Sequence, residues 1–293
     1  MKNQDAFARF HPVVNLLYFV LVTALSFLLM HPVCLGVSLF CAFTYSLALG
    51  GKKALRFALW FQLPVLLLTA LINPAFSHAG ATILTYLPSG NPLTLESIAY
   101  GVAAAVLLLA VLNWFTCFNA VMTSDKFIYL FGRAIPALSL VLSMALRFVP
   151  RFVAQAKVIA NAQKCIGRDP ASGNILQRAR AGLKILSILV TWALENAVET
   201  ADSMKSRGYG LPGRTAFSIF HLERRDFYAL LFLLLCGGYL VCGTALGGLQ
   251  FSYFPVVQGV WNPYAISLFA AYLALCALPL IIDQREAHKW KTA

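Results

Sequence analysis

The side chains that could carry out chemistry are few and scattered. His11, His31, His78, His221 and His288 lie far apart, and no H-E-x-x-H, G-x-S-x-G or Cys/His cluster gives them a catalytic or metal-ligating spacing. No G-x-x-x-x-G-K-[ST] occurs, so the loop that cradles a nucleotide's phosphates is missing. Of the seven cysteines (Cys34, Cys41, Cys117, Cys165, Cys236, Cys242 and Cys276), six lie in apolar runs and none forms C-x-x-C. They read as small buried hydrophobes, not as a disulfide framework or metal site. The apolar runs hold few ionisable residues beyond Glu96 at one end, which leaves a proton relay or ion-coupled carrier little to use. A non-catalytic protein with no cofactor is expected.

What the chain offers instead is recognition chemistry. Two helix-like runs each end in a short tag of one form, Lys164-Cys165-Ile166-Gly167 and Lys205-Ser206-Arg207-Gly208. A glycine stops a helix, so the residue before it projects from the tip, beside carbonyls that favour a cation. Arginine there presents a planar five-donor fork, suited to a carboxylate or to carbonyls in a partner's groove. One such tag is an ordinary cap. Two of the same form, at the tips of successive helices, point to docking on two equivalent pockets of a two-fold or pseudo-two-fold partner.

Two helices must carry these tips. The first is expected over Pro150–Ile166, a turn over Asp169, Pro170, Ser172 and Gly173, and the second from the N-cap Asn174 to Arg207, about 50 Å long. Leu176, Ala179, Leu183, Leu186, Val190, Ala193 and Ala197 follow 3-4 spacing, which predicts a packing seam against the first helix or the membrane. Glu195, Glu199 and Asp202 read as a solvated face, with Asp202 placed to pair with Lys205.

Around this hairpin the composition is that of a membrane protein: 60% hydrophobic and 12% charged residues, against about 25% charged in soluble domains, and a mean hydropathy of +0.74. The net charge of +12 forms no stripe with exposed aromatics, so the bilayer and not nucleic acid is the expected partner. Six spans are expected at Val13–Met30, Pro32–Leu49, Ala54–Ile72, Ser97–Val121, Phe227–Gly247 and Asn262–Ile282. The first reads as a retained helix, not a cleaved signal, and His31-Pro32 starts the second. Asn73–Leu95 reads as a loop or re-entrant segment, and Trp261 and Tyr264 mark an interface.

All 23 Lys and Arg fall in three regions, five in residues 1–56, fifteen in 123–226 and three in 283–293. That partition puts both termini and the hairpin in the cytoplasm of a multi-pass plasma-membrane protein. Phe127–Leu146 is apolar enough to cross, but crossing would put the hairpin outside and Arg133 in mid-membrane, at about 2.5–3.5 kcal/mol. It reads as a helix lying at the cytoplasmic face. The expected fold is thus all-α and polytopic, with a membrane part over 1–124, a cytoplasmic coupling part over 125–226 and a second membrane part over 227–293.

A family resemblance runs through nearly the whole chain. Its residues are Asn73-Pro74, Gly80-Ala81-Thr82, Gly90-Asn91-Pro92-Leu93-Thr94-Leu95-Glu96, Arg147-Phe148-Val149-Pro150 and Ala162-Gln163-Lys164. The most specific piece is Ala201-Asp202-Ser203-Met204-Lys205-Ser206-Arg207-Gly208-Tyr209-Gly210. In these the chain resembles the transmembrane (T) component of energy-coupling factor (ECF) transporters, the family that includes the cobalt-transport permease. The resemblance implies a scaffold between two ATP-binding cassette ATPase subunits and a membrane S component that binds a vitamin or metal ion.

It further implies that two Ala-Arg-Gly-like motifs dock the ATPases. The second maps onto Ser206-Arg207-Gly208 with one conservative change. The first maps onto Cys165-Ile166-Gly167, where Ile166 replaces the arginine, so that Lys164 or Arg168 supplies the charge or the contact is apolar. The S component would lie against apolar faces of the hairpin and spans, and Gly243 and Gly247 form a G-x-x-x-G that permits close helix packing. The alternative, a self-contained secondary transporter, requires mid-membrane polar residues and a substrate site in this chain. A membrane enzyme requires clustered His, Asp, Glu or Ser. Neither pattern is visible.

Overall fold

A His-Pro pair starts each of the first two long helices. In the computed structural model, which describes residues 6–77, 80–86, 92–134, 136–167, 174–209, 211, 220–259 and 262–292, α1 spans Pro12–Leu28 and α2 spans Pro32–Gly50. His11 and His31 are their N-caps: Nδ1 of each accepts from the N–H two residues on, Val13 and Val33, both at 3.3 Å. Proline at the first helical position loses no bond there. Helix α3 (Lys52–Phe57) runs through a π-helical turn, Ala58–Gln62, into α4 (Leu63–Phe76). This span therefore continues past Ile72 and through Asn73-Pro74.

The Gly- and Pro-rich segment that follows forms an antiparallel hairpin, β1 (Ile83–Tyr86) with β2 (Pro92–Thr94). Glu96 holds it: its carboxylate accepts from the Thr82 hydroxyl at 2.7 Å and the Thr82 N–H at 3.1 Å. Thr94 caps α5 (Leu95–Val121). The remaining elements are α6 (Ser124–Ala134), α7 (Pro136–Cys165), α8 (Ile175–Ser206), α9 (Arg224–Ala245), the short pair β3 (Phe251–Ser252) and β4 (Gln258–Gly259), and α10 (Pro263–Thr292).

Two compact units result, Met1–Phe127 with Phe220–Ala293, and Ile128–Ile219. In the first, α5 packs on α2 and α4, and α10 on α2 and α9. Its core gathers Phe7, Tyr18, Phe19, Tyr45, Trp114 and Tyr272, and the Trp114 indole N–H donates to Ser38 at 3.0 Å. At Gly101 a Cβ would lie 2.9 Å from the Ala70 carbonyl oxygen, so α4 and α5 approach there only because the side chain is absent. Of the G-x-x-x-G pair, Gly243 faces Leu268 on α10, whereas Gly247 has φ of +77° in the turn ending α9. Only the first is a packing glycine.

Charged side chains inside this unit pin its N-terminal segment. Asp283 Oδ1 accepts from the Ala6 and Phe7 N–H groups at 2.8 and 3.2 Å. The buried Asp226 accepts from His11 N–H at 3.1 Å and, capping α9, from Glu223 N–H at 3.0 Å. Lys126 donates to the carbonyls of Ala8 and Val121, placing a cation at the C-terminus of α5, where the helix dipole favours it. The bonds from Asp283, Asp226 and Lys126 to residues 6–11 join positions more than one hundred residues apart, and no local pattern reveals them.

Among the described residues, six helices are long and apolar enough to cross a bilayer: Pro32–Gly50, Lys52–Phe76, Leu95–Val121, Ile175–Ser206, Arg224–Ala245 and Pro263–Lys289. The chain is an all-α polytopic membrane protein. Five of these are expected spans. The other expected span, α1, is shorter at 17 residues, and α8 joins the set by length and composition, as the least apolar of the six.

The second unit corrects the expected start of the hairpin. Its first long helix begins at Pro136, not Pro150, and passes through Pro150. Within the apolar stretch Phe127–Leu146, α6 reaches Ala134 and α7 runs from Pro136; the residue between them lies outside the described residues. A proline weakens a helix interior by removing one backbone bond. Here Phe148 and Phe152 stack one turn apart across it, at 5.8 Å, and Phe152 meets Trp192 of α8 edge-on at 5.9 Å.

Candidate docking tips of the helical hairpin

Both hairpin helices end on a glycine in the left-handed region. At the end of α8, Arg207 is the C-cap and Gly208 takes φ of +78°. The Gly208 N–H donates to Lys205 O and the Tyr209 N–H to Met204 O, each at 3.0 Å. That is the Schellman arrangement, which satisfies carbonyls the helix leaves unpaired. At the end of α7, Gly167 takes φ of +77° and its N–H donates to Lys164 O at 3.0 Å. Ile166 and Arg207 therefore occupy equivalent positions, one residue before a left-handed glycine.

Both point into solvent. Ile166 is 69% exposed, and Cys165, Lys164, Ser206 and Arg207 are exposed as well. The Ser206 hydroxyl donates back to Ser203 O at 2.9 Å, so it closes its own helix end. The Arg207 guanidinium makes no hydrogen bond or ion pair among the described residues, which leaves its five donors available. Among the described residues Asp202 and Lys205 do not form the expected ion pair, and both side chains are exposed. Arg168, the other candidate source of charge at the first tip, and the expected turn over Asp169–Gly173 lie outside the described residues.

The seam expected to pack on the first helix or the membrane is not the face that meets α7. Leu176, Leu183, Leu186 and Val190 are each at least half exposed. The covered stripe of α8 is offset from it and runs through Ala181, Ile185, Leu189, Trp192, Asn196, Thr200 and Met204. Bulk and hydrogen bonding decide between the two stripes. Arg151 of α7 lies over the Trp192 ring at 5.3 Å and donates to Asn196 Oδ1 at 2.9 Å. A guanidinium stacked on indole and tied to an amide is a directional contact that the aliphatic seam does not offer. Sequence reading missed this clasp; its only sign there is an arginine beside a proline and a lone tryptophan in an aliphatic helix.

A family model described as cobalt transport protein (CbiQ) matches residues 5–217. The chain is 35% identical over 113 residues to the energy-coupling factor transporter transmembrane protein EcfT of Lactobacillus helveticus, covering 38% of this chain and 41% of that protein. It is 41% identical over 105 residues to the EcfT of Lacticaseibacillus paracasei, covering 36% and 38%. Against the EcfT of Bacillus selenitireducens it is 25% identical over 256 residues, covering 82% of this chain and 93% of that protein. The first two matches thus span about two fifths of those relatives' length.

Proposed function

The chain belongs to the cobalt transport protein (CbiQ) family, and on that premise we propose that it is the transmembrane coupling subunit of an ATP-driven ECF-type importer. Its two hairpin tips dock two ATP-binding cassette subunits on the cytoplasmic side. The exposed seam of α8, with apolar faces of the spans, receives a membrane S component that binds the vitamin or metal ion. ATP hydrolysis belongs to the partners, and this chain transmits their motion.

One observation carries the reading: Ile166 and Arg207 stand exposed at equivalent positions, each one residue before a left-handed glycine that ends its helix. Docking requires such a pair because two ATPase subunits present two pockets. The geometry also offers a route for force. Helix α8, 32 residues long, extends about 48 Å at 1.5 Å per residue and bears both the tip and the seam. A partner that tilts the tip therefore moves the seam, and the Arg151–Trp192–Asn196 clasp makes α7 move with it.

Charge reversal at Arg207 tests this. Losing one partner of a buried charge pair costs about 2–5 kcal/mol, and a glutamate adds repulsion from an acidic pocket. Arg207→Glu should therefore insert normally yet lose ATPase co-purification and substrate uptake. Arg207→Lys should restore only part, because an ammonium lacks the fork. Ile166→Glu should weaken docking and Ile166→Arg should be tolerated. Wild-type assembly and uptake in Arg207→Glu would reduce both tags to ordinary caps.

A further inference from the structure

The span that starts at Lys52 is the least covered helix of the first unit. Only 6% of its apolar stretch is buried, against 28–44% in α2, α5, α9 and α10. One side is fastened to α5. Gln62 and Asn113 exchange two amide hydrogen bonds at 3.1 and 3.2 Å, and Gly101 lets the backbones approach. Away from that side, Trp60 is 83% exposed, and the exposed rings of Phe57 and Phe61 stack at 5.1 Å.

Directly before this aromatic group stand three cations. Lys52, Lys53 and Arg56 are exposed, and Arg56, four residues after one lysine and three after the other, lies on the helix face between them. They make no ion pair or side-chain hydrogen bond among the described residues. Nor does the neighbouring sequence offer a counter-charge, because no Asp or Glu lies between Asp5 and Glu96, and Glu96 is bound to Thr82. The cations cannot swing away on a loop: α2 passes into α3 through the single turn residue Gly51, whose φ is +54°.

We infer that Lys52, Lys53 and Arg56 bind the phosphate headgroup of an anionic phospholipid in the cytoplasmic leaflet, with Trp60 set beneath it at the interfacial level. Arg56 and Trp60 are four residues apart, about 6 Å along the axis, which places the indole where amphipathic rings settle, just under the headgroups. The stacked rings of Phe57 and Phe61 then run along the acyl chains. A lipid satisfies both halves of the patch at once, the unpaired charge and the open aromatic face. The inference does not depend on the docking role of the tips.

Trp60 provides the reporter. The full chain is reconstituted in phosphatidylcholine vesicles, and the emission lost in Trp60→Phe is followed as brominated phosphatidylglycerol or brominated phosphatidylcholine is added. A cation near an anionic surface contributes about fivefold in affinity. Half-quenching should therefore need at least tenfold less brominated phosphatidylglycerol than brominated phosphatidylcholine, and the gap should narrow at high salt. The triple variant Lys52→Gln, Lys53→Gln, Arg56→Gln should erase the preference while quenching by brominated phosphatidylcholine and the helical circular dichroism stay as in wild type. Equal quenching by both lipids in wild type would overturn the inference, since it means indiscriminate bilayer contact. So would a preference that survives in the triple variant, or a Trp60 that neither lipid quenches because protein covers it.

Discussion

Replacing Gly208 by alanine isolates the shape of the docking tip from its charge. Gly208 and Gly167 hold φ at +78° and +77°, in the left-handed region where an L-residue costs about 1–2 kcal/mol. At Gly208 the new Cβ would lie 3.2 Å from Leu211 Cδ1, the far end of a flexible side chain, and at Gly167 nothing lies within 4 Å. The backbone cost therefore dominates at both positions. It shifts the capped turn toward frayed alternatives by about 5- to 30-fold, and a partner that reads the turn loses apparent affinity by up to that factor, as the competent fraction falls. Gly208→Ala should weaken binding of the ATPase subunits by up to about 30-fold without changing the helicity of α8, because the cost falls beyond Ser206. Gly208→Asn should stay nearer wild type, since asparagine visits this region more readily, and Gly167→Ala should match Gly208→Ala if both tips dock. Titration of the purified full chain with the ATPase subunits, with circular dichroism in parallel, measures each effect. An unchanged Kd in Gly208→Ala, beside a lost interaction in Arg207→Glu, would show that the guanidinium is read and the turn is not.

Two further outcomes follow from the first unit. Asp226→Ala strands the N–H groups of His11 and Glu223, each bonded to a charged acceptor worth about 1.5–3 kcal/mol; hydrogen exchange at the His11 amide should accelerate more than tenfold, and an unchanged rate would refute the clamp. Burial lowers the pKa of His11, against a smaller opposing pull from Asp226, and burial likewise lowers that of His31, while Nδ1 of each must stay unprotonated to cap its helix. With the folded pKa below the unfolded value of about 6.5, the unfolded chain binds more protons in acid, so this contribution is complete above about pH 6.5 and is lost as pH falls through the folded pKa. The Tm should drop between pH 7.5 and 5, and drop less in the His11→Asn, His31→Asn double variant, whose caps do not titrate.

Features set by local chemistry were legible in the sequence. Long apolar runs announce most of the spans, His31-Pro32 starts a helix, Asn174 caps one, and Gly167 and Gly208 stop two. What escaped depends on residues distant in sequence. Pro150 looked like a helix start because proline is a local breaker, yet the ring packing from Phe148 through Phe152 to Trp192 carries α7 through it. Gln62 and Asn113 are unremarked polar residues in two apolar runs until the fold pairs them, and the N-terminal clamp joins residues 6–11 to 126, 226 and 283.

The seam of α8 shows most clearly where periodicity ends. Spacing of three and four identifies an apolar stripe, but not which stripe a neighbour covers. Arg151 fixes that choice by engaging Trp192 and Asn196, and it leaves Leu176, Leu183, Leu186, Val190, Leu194 and Val198 exposed. The same exposed aliphatics give α8 its place among helices apolar enough to cross a bilayer, although it carries Arg178, Arg180, Lys184, Glu195, Glu199, Asp202 and Lys205 along its length. A soluble monomer rarely leaves a contiguous apolar stripe of this extent uncovered. A helix whose charged tip is free for one partner and whose aliphatic stripe is free for another has the two surfaces that a coupling subunit requires.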